Sequence, residues 1–246
     1  MTSQGRSGSN IARSGFKNED DVVNHFNNWK TSILAQKWLI DLNVRPEILE
    51  NVSAERIHGE KTDVKVSLKI SGFNHPYNLQ VKLVSINKGF NQVDKRWVDD
   101  YHELWEFPKE VLIALKKFTG EIKPSGKCRD KNKRRLFFDE LETHEQKQLV
   151  SFFSNNKIKI VQDLVQGRGQ MAAKYVLVVD KSSKTILTKI IPINQAIKIM
   201  SDGVVEKSPR GSLRIGKILM QRKGGDGGKP SANMLQFKED PKEFLV

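Results

Sequence analysis

Residues 62–84 read TDVKVSLKISGFNHPYNLQVKLV. Val64, Val66, Leu68 and Ile70 alternate with Asp63, Lys65, Ser67 and Lys69, the period of two that a half-buried strand requires. SGFNHP supplies turn formers, and Leu79, Val81 and Leu83 then alternate with Gln80, Lys82 and Val84 in a second strand. The pair reads as a hairpin. A turn centred on Gly72 and Phe73 sets Asp63 opposite Lys82, with Gln80 one step along the same face. Opposed residues share a sheet face, so any turn of the same parity keeps these three side chains together.

A carboxylate, a second oxygen donor and a lysine on one face are what metal-dependent phosphodiester hydrolysis requires. Asp63 offers Mg²⁺ a hard anionic oxygen, the Gln80 amide a neutral one, and the Val81 carbonyl a third. Lys82 is then the electrophile that positions the attacking water or steadies developing negative charge. Glu19 is a further acid within reach, as a ligand of a second metal or merely as an acid favouring a helix N-terminus. Taken alone, the spacing of Asp63 from Gln80-Val81-Lys82 is a weak pattern, since such residues are common.

Outward from the hairpin, residues 1–14 are rich in Ser and Gly and are expected to form a loose tail or a DNA-touching arm. Residues 18–42 are expected to form one amphipathic helix, with Asn18 as N-cap and Val22, Phe26, Trp29 and Ile33 at helical spacing. Helices are also expected over 92–105, 110–117, 143–155 and 192–202, and strands over 174–181 and 184–191. The stretch 123–135, KPSGKCRDKNKRR, is a basic loop suited to phosphates. Strands mixed with helices in no βαβ repeat point to an α/β fold, a central mixed sheet flanked by helices. The expected organisation is a single domain over 15–246, with a catalytic core at about 15–120 and a DNA-recognition segment at about 205–240.

The 246 residues carry 42 Lys and Arg against 29 Asp and Glu, a formal charge of +13 that attracts polyanions. One cysteine and five histidines without metal-ligand spacing argue against zinc. No stretch approaches the roughly 18 apolar residues of a membrane helix, and MTSQGRSGSN has no signal-peptide core, so a cytoplasmic protein with no membrane association is expected.

GEKTDVKVSLKI…YNLQVKLVS resembles the PD-(D/E)XK nuclease motif, in a variant with Gln at the middle acidic position and Thr62 where the family has Pro; GFKNE resembles its helical glutamate. QVKLVSINKGFNQVDKRW, FTGEIKP, SPRGS and QRKGGDGGKPSANMLQFK are similar to segments of four-base-cutting type II restriction endonucleases. The resemblance implies a Mg²⁺-dependent endonuclease acting on double-stranded DNA at GCGC or a close relative, with Asp63, Gln80 and Lys82 as its active site. It also implies a chain working as a monomer or weak homodimer, since one triad per chain demands either two copies or two successive nicks.

For a site of G and C only, Arg or Lys donates to guanine and a carboxylate accepts from cytosine N4. Arg222, Lys223, Asp226, Asn233, Gln236 and Lys238 offer such groups among glycines that admit a close backbone approach. In the loop NKGFNQ, Phe90 is a candidate wedge between base pairs, with Gln92 a polar contact beside it. Two other readings stay open: a repair or junction nuclease with the same triad, and a DNA-binding protein that does not cut.

Overall fold

A computed structural model describes residues 3–85, 89–124, 128–129, 135–225 and 228–246, with side chains from residue 15 onward. Most of the basic loop 123–135, and Asp226, lie outside the described residues. The chain falls into two compact units. One comprises Arg6–Gly89, Val165–Ile199 and Pro241–Val246; the other Met1–Gly5, Phe90–Leu164 and Met200–Asp240.

The first unit is built on a mixed sheet. Its strands are β1 (Asn51–Arg56), β2 (Val64–Ile70), β3 (Phe73–Val84), β5 (Tyr175–Asp180) and β6 (Leu187–Pro192), in the order β1-β2-β3-β5-β6. All neighbours are antiparallel except β3 and β5, which run parallel. Strand β3 finds its second neighbour in β5, about ninety residues on. The hairpin turn falls at Ser71-Gly72, one residue earlier than expected, with Ile70 paired to Phe73 and Lys65 to Asn78. Ser71 and Gly72 have φ of 49° and 81°. Positive φ at both central residues is the turn whose twist matches that of the strands, which favours a glycine inside the turn over one at its edge. Parity is unchanged, so Gln80 and Lys82 keep a common face, but the register brings Gln80 rather than Lys82 across from Asp63.

Two helices cover one face of this sheet. Helix α1 (Ser3–Asn27) begins far ahead of the expected start at Asn18, so the backbone of 3–14 is helical instead of a loose tail. Once a turn is nucleated each further residue adds one hydrogen bond, so the acidic stretch 19–21 lies in the helix interior. The chain breaks at residues 28–32, and Ser32 caps α2 (Ile33–Asp41) by accepting from the Ala35 N–H at 3.1 Å. Val22, Phe26, Trp38 and Leu39 pack with Val64, Val66, Leu68, Leu79, Val81, Leu177 and Val179 in one buried cluster.

The second unit carries an antiparallel sheet in the order β4-β10-β9-β8-β7, made of β4 (Asn91–Arg96), β7 (Val205–Lys207), β8 (Leu213–Ile215), β9 (Ile218–Arg222) and β10 (Leu235–Glu239). Residues 92–96 are thus a strand, not the start of a helix, because they pair with β10. The helices α3 (Val98–Trp105), α4 (Lys109–Thr119), α5 (Thr143–Asn155) and α6 (Lys157–Gln166) follow β4 in the chain, and α7 (Ile193–Ser201), most of which belongs to the first unit, precedes β7. Tyr101 and Trp105 of α3 meet Phe237 edge-on at 5.2 and 5.5 Å, which marks one face of the sheet as core. No helix among the described residues is long and apolar enough to cross a membrane.

Candidate active site and nucleic-acid face

Asp63 lies just outside the ladder, at the start of β2, and is held from three sides. Its carboxylate Oδ2 accepts the Val81 N–H at 2.7 Å, its own N–H donates to the Leu79 carbonyl at 2.9 Å, and its carbonyl accepts the Ile57 N–H at 2.9 Å. The acid is thereby fixed against the middle of the Gln80-Val81-Lys82 segment. Gln80 and Lys82 are 4% and 7% exposed. The Oε1 atom of Gln80 is buried without a hydrogen-bond partner among the described residues. Leaving such an acceptor unpaired costs about 1–3 kcal/mol, so the position calls for a partner that arrives with the function.

The first helix brings Glu19 to the same place. Arg56, paired with Val64 across β1 and β2, donates from Nη1 to Asp20 at 2.9 Å, which sets residues 18–20 of α1 beside the Asp63 end of the sheet. Burial pushes the Glu19 carboxyl up to about 7, helped by the negative charge of Asp63 and opposed by Arg56 and Lys82. Because Glu19 lies inside α1, the helix-terminus explanation for this acid no longer holds. Asp63, Gln80, Lys82 and Glu19 thus come together, with Val81 between them as the donor to Asp63.

A carboxyl raised in the folded state penalises folding once ionised. The penalty is absent below the ordinary value of 4.5, grows as pH rises toward about 7, and is constant above that. Glu19→Gln removes it. In EDTA the variant should gain on the wild type between pH 5 and pH 8, by on the order of 1–2 kcal/mol after allowance for the solvent that reaches the group. Urea unfolding at the two pH values reads this directly, and a pH-independent difference would count against the coupling.

The donor set suits a hard divalent cation: one fixed carboxylate, one orphaned amide oxygen, and a second carboxyl that gives up its proton near neutrality. Among the described residues there is no group of three or more His, Cys, Asp or Glu side chains placed so that they could hold a metal ion by themselves. Glutamine in place of the middle acid supplies an oxygen that does not count toward such a group, and it leaves the site with one negative charge fewer.

In the other unit, the residues expected to read DNA separate onto two faces. Lys238 pairs with Gln92 and Leu219, and Gln236 with Gln221 and Lys95. Gln236 donates from Nε2 to Gln92 Oε1 at 3.2 Å. Gln92, Lys95, Gln221, Gln236 and Lys238 thus form a row of amides and ammoniums, and half-burial lowers the Lys238 pKa. Lys95 and Gln221 escaped the sequence reading; alternation with the core residues Met220 and Phe237 is the signal that finds them. Arg222 does not join this row. It pairs with Leu235 on the core face, is 5% exposed, and donates from Nη2 to Asn233 Oδ1 at 2.8 Å. Asn233 in turn donates to the Gly120 carbonyl at 3.1 Å, so the two brace the end of α4. Lys223 follows β9, tied by its N–H to the Met234 carbonyl at 2.9 Å. Phe90 stands half exposed at the entry to β4.

A mixed sheet carrying a fixed aspartate and a Gln-x-Lys strand is the arrangement of a restriction-endonuclease core. The fold agrees with a crystal structure of the restriction endonuclease MspI in complex with its cognate DNA. That match has a TM-score of 0.65 at 13% identity and covers 97% of this chain and 93% of that one. The R.HinP1I restriction endonuclease family model matches residues 46–245, and the chain belongs to that family. It is a site-specific type II deoxyribonuclease. No curated protein matches the sequence.

Proposed function

We propose that the protein cuts double-stranded DNA at GCGC in a Mg²⁺-dependent reaction centred on Asp63, Gln80 and Lys82. The observation that carries this is the Asp63 carboxylate locked onto the Val81 N–H beside the partnerless Gln80 oxygen. Asp63 and Gln80 would hold the cation, with Glu19 and the Val81 carbonyl as further oxygen donors. When bound, the cation polarises the scissile phosphate and acidifies a water. Lys82 places its ammonium against the negative charge that develops on the phosphoryl oxygens as water adds and the 3′ oxygen departs. Burial of Lys82 strengthens this effect, because a charge acts further where water is excluded.

Sequence reading is assigned to Gln92, Gln236 and Lys238, with Lys95 and Gln221 in the same row. A lysine donates to guanine O6 or N7, and a glutamine oxygen accepts from cytosine N4. Lys223 extends this surface, Arg222 and Asn233 support it from the core side, and Asp226, outside the described residues, is kept as a carboxylate acceptor for cytosine N4. Gly224, Gly225 and Gly228 have φ of 65°, 67° and 86°, and among the described residues, chain neighbours aside, nothing lies within 4 Å of where their Cβ atoms would be. These glycines serve backbone shape rather than packing, which suits a segment that approaches a groove. Phe90 is placed as a wedge between base pairs. One triad per chain implies a monomer that nicks twice or a weak homodimer, working in the cytoplasm.

Incubating the full chain with a sequenced plasmid, with Mg²⁺ or with EDTA, tests the reading. The expected result is discrete fragments ending at GCGC in Mg²⁺ alone. A smear would replace the site-specific assignment at GCGC, and fragments in EDTA would overturn the cation requirement.

A further inference from the structure

Asn18 lies beside the residues just described but has no part in the scheme. It is 2% exposed, and neither its Oδ1 nor its Nδ2 has a hydrogen-bond partner among the described residues. Its sequence neighbours suggest a helix cap, which would explain a buried amide cheaply. In the structure it is an interior residue of α1, where the helix backbone has no free N–H for a cap to satisfy. An amide with both polar atoms orphaned is costly, and such groups persist where an unseen partner arrives.

Position says what that partner is. Asn18, Val22 and Phe26 follow one another at intervals of four, so they share a helix face. Val22 and Phe26 pack in the cluster that holds Val64, Leu79 and Val81. Asn18 thus continues the sheet-facing side of α1 by one turn, and the Arg56–Asp20 bond at 2.9 Å sets that turn beside Asp63. The next residue, Glu19, is within the electrostatic reach of both Asp63 and Lys82. Two buried amides are therefore left open, that of Asn18 on α1 next to Glu19 and that of Gln80 on β3 across from Asp63.

We propose that Asn18 is a positioning residue that holds a water of the divalent cation's hydration shell, Oδ1 accepting from that water and Nδ2 donating to a neighbouring oxygen. Mg²⁺ keeps several of its waters when bound by few protein ligands, and those waters need acceptors. A neutral amide accepts without adding a third negative charge to Asp63 and Glu19. Outer partners of this kind govern cation affinity by about 10–100-fold. The inference rests on the cation reading above.

Calorimetric titration of the full chain with Mg²⁺ alone, together with melting temperatures in EDTA, tests it. Asn18→Leu is expected to melt in EDTA at or above the wild-type temperature, because a buried orphan amide is gone. It is expected to bind Mg²⁺ at least tenfold more weakly, with cleavage partly recovered at high Mg²⁺. Asn18→Ala should show the same loss of affinity and decides the matter if the leucine does not fit. Wild-type affinity in either folded variant overturns the role of Asn18 while leaving the cation site intact. Absence of Mg²⁺ uptake by the wild type overturns both readings together.

Discussion

Asp63→Asn is expected to reduce cleavage by at least about a thousandfold without unfolding the protein. The substitution is nearly isosteric, and an asparagine Oδ1 still accepts the Val81 N–H that Asp63 Oδ2 accepts at 2.7 Å. The backbone bonds to Leu79 and Ile57 do not involve the side chain and remain. What disappears is the negative charge held against the Gln80-Val81-Lys82 segment. With a neutral oxygen already at Gln80, the remaining anionic group is Glu19, so cation affinity should fall along with the rate.

The same variant makes a second, linked statement. Asp63 is one of the causes that hold the Glu19 carboxyl up at about 7. Removing that charge should bring the Glu19 pKa down part of the way toward 4.5, since burial, the larger cause, stays. NMR titration of the Glu19 carboxyl in Asp63→Asn and wild type reads this shift, and melting curves confirm the fold. Cleavage within tenfold of wild type would remove Asp63 from the reaction.

The hairpin that carries Gln80 and Lys82 was legible because its information is local. Alternation over 64–70 and 79–84 fixes which side chains share a face, and Gln80 and Lys82, two apart, share one whatever the turn. The turn itself was misplaced by one residue, since alternation does not say whether Gly72 stands inside the turn or at its edge. Nonlocal pairings were less legible. Strand β1, NVSAER, carries little apolar signal beyond Val52 and exists because β2 lies beside it. QVDKR is polar enough to suit a helix surface and becomes a strand through β10. Arg222 shows the same limit at a single residue. Its glycine-rich surroundings suggest an exposed reader, whereas the register with Leu235 turns it to the core. For Asn18 and Glu19 the mistaken helix start mattered most, because it offered a cap and a dipole as explanations that the longer α1 withdraws.

Lys82 carries the second large effect. Lys82→Met keeps the length and apolar character of the stem in a site only 7% exposed, and removes the ammonium alone. Cleavage should fall by about 10²–10³-fold, the range for loss of one preorganised group facing developing charge. DNA affinity should change by no more than a few-fold, because binding is spread over many cationic contacts in a chain of formal charge +13. Lys82→Arg is not expected to restore the rate, since a planar guanidinium does not replace a compact ammonium in a buried position. Single-turnover cleavage and a DNA-binding titration on the same preparations separate the two quantities. Loss of both together would make Lys82 a binding residue, and loss of neither would leave the reaction without its electrophile. The Glu19 carboxyl supplies an independent check. Lys82 lowers its pKa, so the methionine variant should push that value above about 7, opposite in direction to the change expected for Asp63→Asn. Opposite shifts at one carboxyl, from two substitutions that each suppress cutting, would establish that Asp63, Lys82 and Glu19 act on one another in a single site.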